Sequence, residues 1–206
     1  MEKSALPVAT PTEVFRTVAP TRRPNAELRT REHLTPGEVE ALIEAAKTNR
    51  YGHRDATMVL LAFRHGLRAA ELVDLRWDQV DFQTGVLHVR RAKAGTPATH
   101  PLTGRELRAL RRLQRETGPS THLFMSERKA PISTDGFQKM IERLNDQVKL
   151  GFQVHAHMLR HACGFKMAND GVDTRTIQAY LGHKDIRHTV RYTELSPVRF
   201  KGLWKD

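Results

Sequence analysis

The stretch LGHKDIRHTVRYTELSP, residues 181–197, holds two histidines, three basic residues and one tyrosine, with few apolar residues between them. Tyr192 stands in this polar, basic setting, where a side chain that only fills a hydrophobic core is out of place. Three interpretations follow from the stretch alone: Tyr192 is a surface residue, an aromatic stacking platform, or a nucleophile. The polar residues elsewhere in the chain must decide among them.

The whole chain is strongly basic. Its 206 residues carry 34 Lys and Arg against 23 Asp and Glu, a net charge of +11. Such an excess indicates a polyanionic partner, most often nucleic acid, although a merely basic protein stays open on charge alone. The hydrophobic fraction of 39% permits one packed domain rather than a disordered chain.

The composition also excludes several kinds of site. Cys163 is the only cysteine, which rules out an internal disulfide and a zinc site of several cysteines, and suits a reducing cytoplasm. No run approaches the roughly 20 apolar residues of a membrane span. The N-terminal sequence MEKSALPVATPTEV lacks the long apolar core of a secretion signal. We therefore expect a cytoplasmic, nucleoid-associated protein with no membrane partner.

The hydrophobic pattern predicts a mainly α-helical domain with a small antiparallel β-sheet, an α+β fold. Residues 1–33 are rich in Pro, Thr and Arg and predict a flexible basic arm, which either contacts DNA backbone or is solvated. Thr35, Pro36 and Glu38 form a capping-box pattern at the first helix. Alternation predicts a strand over 86–90, with turns at 83–85 and 94–97. The predicted helices cover residues 35–48, 55–64, 69–75, 104–116, 134–149, 157–169 and 174–181.

The helix predicted over 104–116 separates its two faces. Leu107, Leu110 and Leu113 share one arc, and five arginines without matching acids occupy the opposite arc. This arrangement predicts a surface that faces DNA phosphates, with a solvated helix face as the alternative. The five arginines are Arg105, Arg108, Arg111, Arg112 and Arg115.

A purely structural role does not readily account for a second set of polar residues. Each member is placed at a helix start, on a helix face, just past a helix end or beside a hairpin turn, and each alone is most often a surface residue. Their spacing adds information, because His157 and Arg160 are three residues apart and share one helix face. In chain order the set is Arg68, Glu71, Lys93, His157, Arg160, His183 and Tyr192.

A zinc site competes for part of this set. His157 and His161 have the four-residue spacing of zinc proteases. Those sites carry glutamate directly after the first histidine, where this chain has Met158, and Arg160 would push a cation towards the metal. No separate third ligand is evident, so we expect no metal and no other cofactor.

The set suits one demanding reaction, the attack of Tyr192 on a DNA phosphodiester. The transition state gathers negative charge on two non-bridging oxygens, to which Arg68 and Arg160 can offer planar, paired donors. Glu71, one turn from Arg68, is placed to hold that guanidinium. The guanidinium pair supplies the positive charge, so the reaction needs no metal.

The remaining members supply proton transfers and a further donor. Lys93 is the candidate acid that protonates the leaving 5′ oxygen. His157 is the candidate base for the attacking phenol, whose ordinary pKa is about 10. His183 is a candidate donor to the phosphate.

These residues resemble the signature of the tyrosine recombinases, also called the phage integrase family: Arg, Lys, His-x-x-Arg, His or Trp, and Tyr. The resemblance covers about residues 34–195 and implies a mixed, mostly helical catalytic domain. It also implies a covalent 3′-phosphotyrosyl intermediate on double-stranded DNA with paired sites, and strand exchange in a homotetramer that is monomeric or dimeric off DNA. The matching segments are GLRAAEL (Arg68), RRAKAG (Lys93), HMLRH (His157, Arg160), LGHKD (His183) and TVRYT (Tyr192).

The C-terminal run is especially similar to the short invertases that control fimbrial phase variation. The resemblance therefore implies DNA inversion, with a mobile-element integrase or resolvase, or a non-catalytic DNA-binding protein, as alternatives. The arm before Thr35 is too short for the N-terminal clamp domain of most members, so we expect an accessory DNA-bending protein or a bent site. In the tail over 196–206, Phe200, Leu203 and Trp204 either pack on their own domain or, as in the family, dock on a neighbouring protomer.

Overall fold

A computed structural model describes residues 31–92 and 95–194, together with Ser196. The predicted acid Lys93, nearly all of the arm over 1–33 and nearly all of the tail over 196–206 lie outside these residues. Within the described ranges, no helix combines the length and the apolar character needed to cross a membrane.

The described chain is mainly α-helical with one small antiparallel sheet, which confirms the predicted fold class. The helices are α1 (Pro36–Lys47), α2 (Gly52–Arg64), α3 (Ala69–Val73), α4 (Gly104–Thr117), α5 (Thr134–Val148), α6 (His157–Asn169), α7 (Thr174–Leu181) and α8 (Arg187–Glu194). The strands are β1 (Val80–Asp81), β2 (Val86–Val89) and β3 (Ala98–Pro101), in the sheet order β1-β2-β3, with a short 3₁₀ helix (Trp77–Gln79) before β1.

The first helix begins with the predicted capping box. The Glu38 backbone N–H donates to Thr35 Oγ1 at 3.3 Å, and the Thr35 N–H donates to Glu38 Oε2 at 2.7 Å. The predicted start of α2 at residue 55 is wrong, because the helix already begins at Gly52. A Cβ atom at Gly52 would lie 2.2 Å from the Lys47 carbonyl oxygen, so glycine permits this tight passage from α1 to α2.

The sheet shows the predicted alternation. Leu87 and Val89 are buried, whereas His88 between them is exposed. Leu87 pairs with His100 and Val89 pairs with Ala98 across β2 and β3. The chain that leaves β2 then turns into the protein, where Arg91 is buried.

Tyr192 lies on α8, a helix that the sequence pattern did not predict. The helix has only eight residues, and its buried members are Thr189 and Tyr192, so there is no apolar stripe to recognise. It packs against α6 and α7. A small core cluster joins these three helices: Cys163, Phe165, Ala168, Ile177, Leu181 and Tyr192.

Candidate active site

Arg68 and Glu71 are held together at the start of α3. Arg68 is the N-cap residue of this helix and Glu71 lies in its first turn. The Arg68 side chain donates from Nη1 to Glu71 Oε1 at 2.6 Å, and its backbone N–H donates to Glu71 Oε2 at 3.0 Å. Burial alone would raise the pKa of Glu71, but the hydrogen bonds from Arg68 and the charge of Arg91 outweigh it and lower that pKa. Glu71 is therefore an ionised carboxylate that fixes Arg68.

Arg91 also contacts the carboxylate of Glu71, a contact that the sequence pattern did not predict. Its Nη1 donates to Glu71 Oε2 at 2.9 Å, and its Nη2 donates to the backbone carbonyls of His65, at 3.3 Å, and of Tyr180. The exposed fraction of the Arg91 side chain is 0%. One signal was present in the sequence: residue 91 has the same parity as the buried Leu87 and Val89, so a continuation of β2, which ends at Val89, would place it on the inward face.

Arg160 is buried on α6, with 1% of its surface exposed. Its Nη2 donates to the Leu181 carbonyl at 2.7 Å, its Nη1 donates to the Gly66 carbonyl, and Nη1 lies 3.9 Å from Glu71 Oε2. Burial and the nearby charge of Arg68 lower the pKa of Arg160 to about 10. The guanidinium therefore keeps its charge at neutral pH and adds to the positive charge of the site.

The Tyr192 side chain is enclosed, with 1% of the residue exposed. Its ring meets Phe165 edge-on, with 5.1 Å between the ring centroids, and lies against Gly164 of α6. Its hydroxyl is 2.9 Å from Nδ1 of His161. Burial raises the pKa of Tyr192, so the phenol is protonated at neutral pH, and it donates this hydrogen bond in the tautomer of His161 that carries its proton on Nε2.

His161, and not the predicted base His157, contacts the Tyr192 hydroxyl. The two histidine rings meet edge to face, with 4.5 Å between their centroids. Burial and the charge of Arg160 lower the pKa of His157 to about 4, and burial and its neighbour His157 lower the pKa of His161 to about 3. Both imidazoles are therefore neutral at pH 7, and the His161 tautomer with its proton on Nε2 leaves Nδ1 able to accept the phenolic proton.

His183 is placed next to Tyr192 by the end of α7. Gly182 ends this helix with φ +66, a left-handed conformation that suits glycine. The His183 ring is 19° from parallel with the Tyr192 ring, with 6.3 Å between centroids, and its Nδ1 is 2.8 Å from Oγ1 of Thr189. Burial and the charge of Arg160 lower the pKa of His183 to about 3.

The structure thus gathers most of the predicted set into one centre. Glu71 joins Arg68, and Arg160 joins the carbonyls of Gly66 and Leu181, which lie just before Arg68 and His183 in the chain. Lys93 itself lies outside the described residues. Its preceding neighbour Ala92 reaches this centre, since the Ala92 N–H donates to Glu71 Oε1 at 3.0 Å.

The arginine-rich helix α4 is more neutralised than the sequence suggested. Arg105 donates from both terminal nitrogens to Glu40 of α1, at 2.9 and 2.6 Å, and Arg112 donates to Glu116 at 2.7 Å. The premise that these arginines lack matching acids is therefore wrong for two of them, in one case because the acid lies on a distant helix. Arg108, Arg111 and Arg115 are exposed, and DNA contact by this face stays a prediction.

Comparison with known proteins places this geometry. A model of the phage integrase family matches residues 32–199. The chain is 40% identical to the type 1 fimbriae regulatory protein FimB of Escherichia coli K12 over 184 residues, which cover 87% of this chain and 92% of FimB. It is also 40% identical to the type 1 fimbriae regulatory protein FimE of the same strain over 181 residues, which cover 85% of this chain and 91% of FimE.

A solved structure supports the same assignment. The XerA recombinase superposes with a TM-score of 0.71 at 28% identity, over 81% of this chain and 61% of the XerA chain. This chain thus matches about three fifths of that protein's length. Together with the family match, these likenesses show that the chain belongs to the phage integrase family, the site-specific DNA recombinases that use a tyrosine.

Proposed function

We propose that this protein inverts a DNA segment by cutting and rejoining double-stranded DNA through a covalent bond between Tyr192 and a 3′ phosphate. One observation carries the proposal: Tyr192 contacts His161 of α6, the helix that also carries Arg160, and Arg160 lies 3.9 Å from the Glu71 carboxylate that binds Arg68. A phosphodiester that enters this cluster meets the positive charge that its transition state needs. The likeness to FimB and FimE supports inversion over the integrase and resolvase alternatives.

The cleavage step is a transesterification in which bonds and protons balance. The Tyr192 oxygen forms a bond to phosphorus, while the bond from phosphorus to the 5′ oxygen breaks. The phenolic proton passes to Nδ1 of His161, which lies 2.9 Å from the phenolic oxygen. The leaving 5′ oxygen takes a proton from Lys93, and rejoining is the reverse step with a 5′ hydroxyl of the partner strand. No metal or nucleotide takes part.

Two arginines and two histidines have roles in this step. Arg68 and Arg160 bind the two non-bridging oxygens, whose charge grows as the tyrosine attacks. His183, beside the Tyr192 ring, donates to one of these oxygens through the nitrogen that does not face Thr189. His157 is the alternative base, and the pH dependence of single variants separates the two assignments.

The partners follow from the reaction. Inversion joins two DNA sites, and the proposed active form is a homotetramer on synapsed DNA. An accessory DNA-bending protein or a bent site strengthens the binding of this tetramer to DNA. The excess of positive charge over the whole chain, +11, favours DNA on electrostatic grounds. The protein acts on nucleoid DNA in the cytoplasm.

The test is to trap the covalent intermediate. The DNA attached to the protein in its own cells is isolated and sequenced, and a nicked duplex that carries the recovered site is then incubated with the pure protein. We expect a covalent adduct with the wild type, and none with Tyr192→Phe, which still binds the duplex. An adduct with Tyr192→Phe would assign the nucleophile elsewhere, and no adduct with the wild type would leave only a DNA-binding protein.

The recovered sites also report on the type of recombination. Two inverted repeats on one molecule give inversion, and direct repeats or sites on separate molecules give resolution or integration. We expect inverted repeats that flank a segment, and the wild type should convert one orientation of a plasmid-borne segment into the other. Direct repeats would contradict the inversion assignment while leaving the cleavage chemistry intact.

A further inference from the structure

Two buried arginines tie together the same two chain segments. Arg91 donates to the carbonyls of His65 and Tyr180, and Arg160 donates to the carbonyls of the next residue in each segment, Gly66 and Leu181. The first segment leads directly into Arg68 and the second into His183. The two guanidinium groups therefore act as parallel ties between the parts of the chain that carry these predicted active-site residues.

Arg91 also completes the hydrogen bonding of Glu71. The carboxylate accepts at Oε1 from Arg68 Nη1 and from the Ala92 N–H, and at Oε2 from the Arg68 N–H and from Arg91 Nη1 at 2.9 Å. Glu71 is almost entirely enclosed, with 1% of its side chain exposed. A buried carboxylate that loses one charged donor must recover that interaction from a neighbour, and the neighbours in reach are Arg68 and Arg160, whose Nη1 lies 3.9 Å from Oε2.

The space around Arg91 is closed on two sides by glycines. A Cβ atom at Gly95 would lie 2.8 Å from Arg91 Cβ, and one at Gly182 would lie 2.8 Å from Arg91 Cγ. In the proposed reaction Arg68 and Arg160 face the phosphate, whereas Arg91, whose side chain has no exposed surface, is closed off from it by Gly95 and Gly182. Any effect of Arg91 on chemistry must therefore pass through the residues that it holds.

We infer that Arg91 is a positioning residue of this recombinase, which fixes Glu71 and the segments before Arg68 and His183, so that the cations stand in place before DNA binds. The inference rests on the proposed function. Arginine is required because one planar guanidinium spans a carboxylate and three backbone carbonyls at fixed angles, whereas the single ammonium of lysine cannot span the same set. Arg91 thus acts through Arg68 and is not itself a catalytic residue.

The test compares two substrates with the full-length protein in single-turnover cleavage of the nicked duplex. One duplex has an ordinary scissile phosphodiester, and the other has a methylphosphonate there, which removes one negative charge. We expect Arg91→Lys to slow cleavage of the phosphodiester by roughly 10- to 100-fold, because small misplacements of catalytic groups have costs of that order. DNA affinity should stay unchanged, because Arg91 does not contact the duplex.

The methylphosphonate provides the readout that a merely structural defect would not move. A neutral scissile group depends less on Arg68, so the deficit of Arg91→Lys should shrink on this substrate, as it should for Arg68→Ala. The matched control is Arg90→Lys, because Arg90 is the adjacent arginine, has 65% of its side chain exposed and pairs with Asp78. Arg90→Lys should cleave both substrates like the wild type.

Two results would overturn the inference: wild-type cleavage by Arg91→Lys, or an equal deficit on both substrates. If Arg91→Lys does not fold, Gly95→Ala replaces it, because the added methyl group presses on Arg91 Cβ and the Gly182 carbonyl without changing any charge. The same shrinking deficit is then expected. The wild-type protein separates this test from the proposed function, because its adduct with the phosphodiester establishes cleavage whatever the variants do.

Discussion

At the scale of single residues, the arrangement around Tyr192 decides which histidine removes the proton. His161 Nδ1 lies 2.9 Å from the phenolic oxygen, whereas His157 contacts the His161 ring. Burial, with smaller contributions from His157 and Arg160, holds the pKa of His161 at about 3 without DNA, and the negative charge of a bound phosphate makes protonation easier. The hydrogen bond and the approaching phosphate together favour His161 as the base.

This assignment makes a prediction for the pH dependence of cleavage. His161→Gln should lower adduct formation at pH 7 by roughly 100-fold, the usual contribution of general base catalysis. The rate of adduct formation by this variant should then rise with pH, as more of the Tyr192 phenol loses its proton directly to solvent. His157→Gln should show a smaller loss and no such rise. If His157→Gln shows the rising profile and His161→Gln does not, the base is the residue expected from sequence.

Sequence reasoning reached some of these residues and missed others for physical reasons. Arg68 and Glu71 are three apart at a helix start, a spacing that brings side chains together whatever the rest of the fold does. His161 was weighed only as a metal ligand, because its contact with Tyr192 spans two helices and no local pattern encodes it. Arg91 was predictable only in part, since strand parity indicates its burial but does not indicate its partners.

At the scale of elements, the Tyr192 ring packs directly against the backbone of α6. A Cβ atom at Gly164 would lie 2.7 Å from Cε2 of the Tyr192 ring, so the ring fits only over a glycine. Gly164→Ala should destabilise the fold by about 1–3 kcal/mol through overpacking, despite the better helix propensity of alanine. It should also reduce adduct formation, because the ring must shift. The checks are urea unfolding and the trapping assay.

A second helical glycine provides the control for this change. A Cβ atom at Gly37, in α1, would meet nothing within 4 Å. Gly37→Ala should therefore stabilise the protein by about 0.5–1 kcal/mol and leave cleavage unchanged. Equal stability and equal cleavage for Gly164→Ala and the wild type would mean that Tyr192 does not pack on α6.

The arginines of α4 lead to a prediction that separates paired from unpaired cations. No ion pair among the described residues involves Arg108 or Arg115, whereas Arg105 is bound by Glu40. If this face meets DNA, Arg108→Ala and Arg115→Ala should each reduce the slope of log affinity against log salt by about 1. Arg105→Ala should change the slope less, since its charge is already compensated. Equal slopes for all variants would make α4 a solvated face, the alternative that helix periodicity left open.

The limits of prediction at the element scale follow from the length of each element. The faces of α4 and the bounds of α6 and α7 were readable, because regular spacing is repeated over several turns or ends at a clear cap. The eight residues of α8 bury a threonine and a tyrosine, so the helix is stabilised by tertiary packing on α6 and α7 rather than by its own pattern. The helix that carries the predicted nucleophile was therefore the one left unpredicted.

At the scale of the whole molecule, the protein holds several neutral histidines at once: His100 is buried, His161 and His183 are half-buried, and His157 is exposed. Burial is the largest cause that lowers the pKa of each, to about 3 for His100, His161 and His183 and to about 4 for His157, from an ordinary value of 6.5. The unfolded chain binds these protons at higher pH than the folded protein does. Stability is therefore fully present above pH 6.5 and is lost as the pH falls from there towards 4.

The expected result is a steep acid destabilisation well above the range in which carboxylates titrate. Below pH 6.5, each of His100, His161 and His183 lowers the free energy of unfolding by up to about 1.4 kcal/mol per pH unit, whereas His157, which is exposed, contributes less. Urea unfolding at pH 7.5, 6.5 and 5.5 should give a level first interval and a falling second one. His100→Gln should reduce the drop in the free energy of unfolding between pH 6.5 and 5.5 by the contribution of one histidine. His100 is the suitable choice because it stacks on Tyr180, away from Tyr192. A constant free energy of unfolding from pH 7.5 to 5.5 would show that these side chains are hydrated and titrate normally. That result would also contradict the low pKa of His161, the proposed acceptor of the Tyr192 proton.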